Sequence, residues 1–339
     1  MTPGPRLLIT MGDVAGVGPE IIARAWPELI QFCRPIVVGD PGWLECALEL
    51  TGGRGTVCII RNVADAEPAP QRLPCLAPSK EDLSRVEPAQ VSAVAGRAAY
   101  DFLCAAIDLT KDGLAAGIVT APIHKEGLRA AGLPYPGHTE ILAERTGTRR
   151  FAMMLYCRGL GVIHVTLHMA LREVFAHITK ESVLEAIRLA DGVLKRLLGR
   201  QPRLAVAALN PHASDGGLFG DEEAQIIEPA VSAARAQGLQ ASGPWPSDTL
   251  FVRARGGEFD GLVAMYHDQG HIALKLMGGM AAVNISVGLP IVRTSVAHGT
   301  AYDIAGRGMA DATSMIEATR VATQLATRTG ADSSREGGG

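Results

Sequence analysis

Gly161-Val-Ile-His-Val-Thr-Leu-His168, Leu204-Ala-Val-Ala-Ala-Leu-Asn-Pro-His212 and Gly261-Leu-Val-Ala-Met-Tyr-His267 share one design. Each is a short aliphatic or β-branched run that stops at a polar cluster and a histidine. Runs of this kind read as buried strands. In α/β proteins ligands bind outside the carboxyl ends of parallel strands. Three imidazoles delivered there would converge on one metal ion and leave a coordination position open, the arrangement of a catalytic site. His168, His212 and His267 are therefore the expected metal ligands.

Outward from these runs, strand-like and helical patterns alternate. Strands are expected at 7–11, 35–38, 117–120, 151–155, 161–167, 204–209, 261–266 and 281–287. Helices are expected near 19–29, 41–50, 90–112, 182–198, 221–237 and 312–327, with a Pro-rich surface stretch at 66–78. That alternation predicts a parallel α/β architecture. A chain of 339 residues exceeds one simple core and implies two domains. Hydrophobic content of 47% with 20% charged residues is that of a globular protein. A net charge of −3 without a basic run argues against nucleic acid and anionic membranes as partners. No apolar run is long enough to span a bilayer, and the chain enters a strand-like stretch at once, leaving no room for a signal peptide. Cys33, Cys46, Cys58, Cys75, Cys104 and Cys157 form no CxxC pair and read as reduced, mostly buried thiols of a cytoplasmic protein.

His164 and His168 have the spacing of one helix face, but Val162, Ile163, Val165 and Thr166 favour a strand. On one strand the two imidazoles would lie about 13 Å apart, at ~3.3 Å per residue, too far to share an ion. His168 is then the ligand and His164 a packed core histidine. The loop Asn210-Pro-His-Ala-Ser-Asp-Gly-Gly-Leu-Phe-Gly220 offers side chains and N–H groups to a cleft, and Asp221-Glu-Glu supplies acids at the start of the next helix. Met265-Tyr-His-Asp-Gln-Gly-His271 gathers two histidines and two polar partners. Asp268 there either fixes an imidazole tautomer or serves as acid/base. Lys275, Asn284 and Arg293 follow, and Lys and Arg near a metal suit an anionic substrate. His298-Gly-Thr-Ala-Tyr-Asp-Ile-Ala-Gly-Arg-Gly-Met-Ala310 is a loop of small residues that a flat ligand could approach closely. Met11-Gly-Asp-Val-Ala-Gly-Val-Gly-Pro-Glu20 lacks GxGxxG and the P-loop lysine, so it is not read as a nucleotide site.

Together with Thr120-Ala-Pro-Ile-His-Lys125 and Pro136-Gly-His-Thr-Glu140, these motifs resemble the 4-hydroxythreonine-4-phosphate dehydrogenase (PdxA) family of vitamin B6, or pyridoxine, biosynthesis, over nearly the whole chain. The 298–308 loop also resembles the adenosine-binding loop of isopropylmalate and isocitrate dehydrogenases. The resemblance implies their fold, two α/β/α domains with NAD (or NADP) and substrate in the interdomain cleft. It implies domains of 1–135 plus 299–330 and of 136–298, with 331–339 as a disordered tail. It implies one divalent metal (Zn, Co, Ni, Mn or Mg) on His168, His212 and His267 at a homodimer interface, His267 coming from the partner subunit. It places substrate on His138, Thr139, Lys275, Asn284 and Arg293, and the cofactor on His298, Gly299, Thr300, Ala301, Asp303, Ile304 and Gly306. Val14 and Ala297 replace the family's usual Pro and Asp, and the chain looks more like the branch that oxidises 4-phospho-D-threonate or 4-phospho-D-erythronate.

The expected reaction is metal- and NAD-dependent oxidation of a 4-phosphorylated 3-hydroxy acid, followed by decarboxylation of the β-keto acid. Asp248 and Asp268 are the base candidates, with Lys275 as a further catalytic group. A cis-dihydrodiol dehydrogenase of the same family is the alternative, one expected to lack the Asn284 and Arg293 anchors. A three-His metal hydrolase would show no nicotinamide dependence, and a non-catalytic binder would show affinity without turnover.

Overall fold

The structure is a computed structural model, and it describes residues 4–333. The chain divides into two compact units, residues 1–149 with 289–339 and residues 150–288. The first unit opens with β1 (Arg6–Thr10), α1 (Gly18–Phe32), β2 (Arg34–Val38), α2 (Pro41–Thr51), β3 (Thr56–Ile60) and β4 (Arg72–Leu76). It continues with α3 (Ala93–Lys111), β5 (Gly117–Thr120), α4 (Lys125–Ala130) and α5 (His138–Thr146). The second unit contains β6 (Ala152–Cys157), β7 (Leu160–His164), α6 (Leu171–His177), α7 (Lys180–Leu198), β8 (Leu204–Ala207) and α8 (Glu228–Ala236). It ends with β9 (Ala241–Trp245), α9 (Ser247–Arg255), β10 (Gly261–Ala264), α10 (His267–Gly278) and β11 (Val283–Val287). The chain then returns to the first unit as β12 (Arg293–Val296) and α11 (Thr313–Ser333).

In the first unit the strand order is β3-β4-β2-β1-β5-β12, with every pair parallel. Leu7, Leu8, Ile9, Ile36, Val37, Ile118 and Val119 are fully buried, as central strands covered on both faces require. Helix ends follow from local chemistry. Asp40 caps α2 by accepting the Trp43 N–H at 2.9 Å, and Gly52 ends that helix at φ 68°.

In the second unit the order is β11-β6-β7-β10-β8-β9. The pairs β7–β10, β10–β8 and β8–β9 are parallel, so their carboxyl ends share one edge. Strand β6 departs from the expected all-parallel sheet, running antiparallel to both β7 and β11. The cause is the two-residue turn Arg158-Gly159, both at positive φ, which closes a tight hairpin.

Several expected extents change. Strand β7 stops at His164, β8 at Ala207 and β10 at Ala264, each before its apolar run ends. The presumed surface stretch at 66–78 contains β4, which lies between β2 and β3. The second unit is shorter at both ends than the expected 136–298, because α5 packs on α3 and β12 pairs with β5. Helix α11 reaches Ser333, into the expected 331–339 tail, and the rest of that tail lies outside the described residues. Among the described residues no helix is long and apolar enough to cross a membrane.

Candidate active site

In the second unit the carboxyl ends of β7, β8 and β10 carry the histidine segments. Gln269, in the first turn of α10, ties the β8 and β10 ends together. Its Oε1 accepts the Met265 N–H at 2.6 Å, and its Nε2 donates to the Ala208 carbonyl at 2.7 Å and to Ser247 Oγ at 2.9 Å. Four imidazoles gather beside it. The His267 ring stacks on His271 with centroids 3.8 Å apart, and His168 lies 5.7 Å from His267. His271 Nδ1 and His164 Nε2 share a 3.1 Å hydrogen bond. His164 is 2% exposed. Burial, reinforced by the neighbouring histidines, pushes it down to about 3; the same causes and Lys275 push His271 down to about 4. Both stay neutral at pH 7.

His267 hydrogen-bonds through Nδ1 to Asp268 Oδ1 at 2.7 Å. With the Nδ1 proton donated there, Nε2 keeps its lone pair, the tautomer a metal ligand needs. His212 is exposed, with its ring edge-on to Phe219 at 6.5 Å. Its loop is conformationally unusual: His212, Ala213, Ser214 and Asp215 all have positive φ. Such backbone persists only when its surroundings hold it, and Glu223 does so. Glu223 accepts N–H bonds from Leu209 at 2.8 Å and Asn210 at 2.7 Å, takes Asn210 Nδ2 at 2.9 Å, and bonds the Ser214 hydroxyl. Burial alone would raise its pKa, but these donors outweigh it and hold the carboxyl below its ordinary range.

The structure brings His168 and His267 together and adds His164 and His271. Among the described residues, no three His, Cys, Asp or Glu side chains of one chain are disposed to hold a metal. Asp248 is exposed in the first turn of α9, Lys275 is exposed on α10, and Asn284 is half-buried on β11. The argument separating His164 from His168 by a common strand falls away, since β7 ends at His164 and His168 lies in the bend beyond it.

The first unit presents a second group. Arg293, at the start of β12, is 5% exposed, and its Nη2 donates to Thr120 Oγ1 at 2.6 Å. Burial pushes its guanidinium down to about 9. His138 opens α5 beside Thr139. Its Nε2 is sealed from solvent with no hydrogen-bond partner, and burial followed by the Arg293 charge drives its pKa well below the ordinary value. Thr120, His138 and Arg293 thus form a neutral-plus-cationic socket suited to an anion.

The 298–306 loop is fixed to the 11–20 segment of the same unit. Val17 N–H donates to the Thr300 carbonyl at 3.0 Å, Tyr302 OH to Asp13 Oδ2 at 2.6 Å, and Gly306 N–H to Glu20 Oε1 at 2.6 Å. Tyr302 also stacks on His124 with centroids 4.6 Å apart. Burial raises the Asp13 carboxyl, against the Tyr302 and Ala15 hydrogen bonds. A Cβ on Gly16 would overlap Thr300, so the close approach requires glycine there. The roles found here for Glu20, Glu223, Gln269 and Thr120 were not read from sequence. The only signal was their place beside glycine-rich or histidine motifs.

Comparison with known proteins places these features in context. A family model described as pyridoxal phosphate biosynthetic protein PdxA matches residues 31–322. The chain is 50% identical over 321 residues to a 4-hydroxythreonine-4-phosphate dehydrogenase of Beijerinckia indica, covering 94% of each chain. It is 45% identical over 331 residues to a D-threonate 4-phosphate dehydrogenase of Cupriavidus necator, covering 96% of this chain and 98% of that one. The crystal structure of 4-hydroxythreonine-4-phosphate dehydrogenase from Klebsiella pneumoniae superposes with a TM-score of 0.86 at 42% identity, covering 95% and 99% of the two chains.

Proposed function

The chain belongs to the PdxA family, and from that premise we propose that it is an oxidoreductase acting on the secondary alcohol of a 4-phosphorylated 3-hydroxy acid. 4-Phospho-D-threonate, 4-phospho-D-erythronate and 4-hydroxy-L-threonine 4-phosphate are the substrates to test. The observation that carries this reading is Arg293. Arg293 is 5% exposed, donates to Thr120 and lies close to His138, so an anion placed beside it would receive charge-assisted hydrogen bonds. Its planar fork matches a phosphate or carboxylate. A terephthalate-derived dihydrodiol would offer a carboxylate to the same fork, so the substrate comparison below decides between the two readings.

When bound, a divalent ion would supply Lewis-acid polarisation of the reacting hydroxyl, and a nicotinamide would accept the hydride. The donor chemistry suits the ion: His168 is exposed, and Asp268 sets the His267 tautomer. Among the described residues one chain does not gather three such donors; following the family resemblance, His168 and His212 would hold the ion together with His267 of the partner subunit. Leu171, Phe175, Leu218, Ile272 and Leu276, each more than half exposed on the second unit, supply the apolar surface such a homodimer would bury. The chain's own residues would then bind and orient. Arg293 and Thr120 hold the anionic end, and the neutral His138 donates or accepts a hydrogen bond without adding charge. Asp268 or Asp248 receives the hydroxyl proton as the carbonyl forms. The product is a β-keto acid, which can lose carbon dioxide. The six free cysteines accord with a reducing, cytoplasmic setting.

The test is NADH formation with added divalent metal, supplying the three phosphorylated acids in parallel. Turnover of the sugar-acid phosphates alone assigns sugar-acid catabolism, and turnover of the hydroxythreonine phosphate assigns pyridoxine biosynthesis. Silence with all three, together with NAD reduction by a cis-dihydrodiol, overturns the phosphate reading.

A further inference from the structure

Strand β1 ends its apolar run Leu7-Leu8-Ile9 on a hydroxyl, Thr10, at the carboxyl edge of the sheet where α/β proteins bind ligands. Thr10 is 1% exposed, and its Oγ1 is sealed from solvent with no hydrogen-bond partner. A buried hydroxyl without a partner is disfavoured, and valine would fill the same space without that cost. Packing alone therefore does not account for threonine at this position.

The sheet register shows what the hydroxyl lies beside. Thr10 of β1 pairs with Thr120 of β5, and Thr120 pairs with Ser295 of β12, all in parallel. Residues paired in this way present their side chains on one face. Arg293, two residues before Ser295, shares that face, and its Nη2 donates to Thr120 Oγ1 at 2.6 Å. Thr294 points the other way, its hydroxyl donating to the Ala318 carbonyl of α11 at 2.8 Å. Thr10 thus sits one strand, about 4.8 Å, beyond the threonine that Arg293 holds. His138 of α5 is close enough to Arg293 for the charge to act on its ring, and it too keeps a sealed, unpartnered Nε2.

An anion in this socket meets donors from more than one direction. The guanidinium fork lies in one plane and satisfies two oxygens of a phosphate or of a carboxylate alike. A carboxylate has only those two. A phosphate ester has a third peripheral oxygen outside the plane, and a hydroxyl on the neighbouring strand approaches from a different side. We propose that Thr10 is a specificity-determining residue of the substrate site, its hydroxyl donating to the third oxygen of the substrate's phosphate and so favouring a phosphate over a carboxylate in the Arg293 fork. The proposal rests on the reading of Arg293 as the anion anchor.

Titration calorimetry on the full chain, with the three phosphorylated acids and with tartrate, which ends in a carboxylate instead of a phosphate, tests this without turnover. Thr10→Val is expected to bind the tightest of the phosphorylated acids about tenfold more weakly and tartrate about as well as the unaltered chain does, the loss of one hydrogen bond to a charged group. Thr10→Ser, which keeps the hydroxyl, is expected to retain the phosphate preference. Thr10→Val should also melt no lower than the unaltered chain, because it removes an unsatisfied hydroxyl. If Thr10→Val binds both ligands as the unaltered chain does while Arg293→Met loses the phosphorylated acid, the role of Thr10 is overturned and the Arg293 anchor stands. Unchanged affinity in both variants, or no binding of any phosphorylated acid by the unaltered chain, overturns the two together. An equal loss for tartrate overturns the selectivity. A Thr10→Val that unfolds or melts lower while Thr10→Ser does not would show the hydroxyl serving the fold, and this too overturns the proposal.

Discussion

Arg293 concentrates the residue-scale argument. Its guanidinium sits at the head of a buried strand, bonded to Thr120 and close enough to His138 to depress that imidazole. Lysine would keep the charge but lose the bidentate fork, and methionine would lose both. A hydrogen bond to a charged group is worth about 1.5–3 kcal/mol. We therefore expect Arg293→Met to lower kcat/KM for the phosphorylated substrate about ten- to hundredfold, mainly through KM, and Arg293→Lys to fall between it and the parent. Steady-state kinetics on the three proteins decide it, and an unchanged KM in Arg293→Met would remove Arg293 from the anion site. Sequence showed Arg293 as a cation suited to an anion, but not its burial or its Thr120 partner, 173 positions away. Glu223 read as a helix-start acid, yet it holds the His212 loop through backbone N–H groups. A carboxylate that serves a distant backbone leaves no spacing to read.

At the scale of elements, apolar runs located the strands but overran their ends. Val165 to Leu167, Ala208 and Met265 extend their runs past the last ladder residue, and Thr166, Ala208 and Met265 are buried all the same. Hydrophobicity reports burial, and pairing stops where the chain turns toward the site. Strands β3 and β4 stayed hidden because they lie among glycines and prolines, with Pro74 inside β4. Helix packing gives a contrast that propensity alone cannot. Alanine exceeds glycine in helix propensity by about 1 kcal/mol. At Gly192 on the exposed side of α7 a Cβ meets nothing, so Gly192→Ala is expected to stabilise by up to about 1 kcal/mol. At Gly96 in α3 a Cβ would overlap the Gly127 backbone of α4. Overpacking of about 1–3 kcal/mol then exceeds the propensity gain, and Gly96→Ala is expected to destabilise. Urea unfolding of both variants checks the opposite signs; two shifts in one direction would refute the packing account of Gly96.

For the whole molecule, the alternation of strands and helices was enough to predict α/β architecture. The antiparallel β6 was not anticipated, because its cause is the conformation of Arg158 and Gly159 rather than a pattern. Global stability against acid turns on a further feature invisible in the sequence. Asp260 is 6% exposed and accepts from Arg200 Nη1 at 2.9 Å and Nη2 at 2.8 Å, and from the Arg203 N–H at 2.8 Å and Nε at 3.1 Å. Burial would raise its pKa, but the two arginines overcome this and hold it well below the ordinary 3.8. A carboxylate depressed on folding adds stability that is complete above the unfolded value and is lost as pH falls through the folded one. The arginines are half-exposed and screened, so the stabilisation comes chiefly from hydrogen bonds to a charged acceptor, about 2 kcal/mol. Asp260→Asn is therefore expected to lower the unfolding free energy by about 2 kcal/mol at pH 7. Its deficit should persist down to about pH 4 and shrink below it, as the carboxylate of the parent's unfolded state takes up its proton before the folded one does. Denaturant titrations across that range measure the difference directly, and a deficit that stays constant to the lowest accessible pH would show that Asp260 stabilises the second unit by shape rather than by charge.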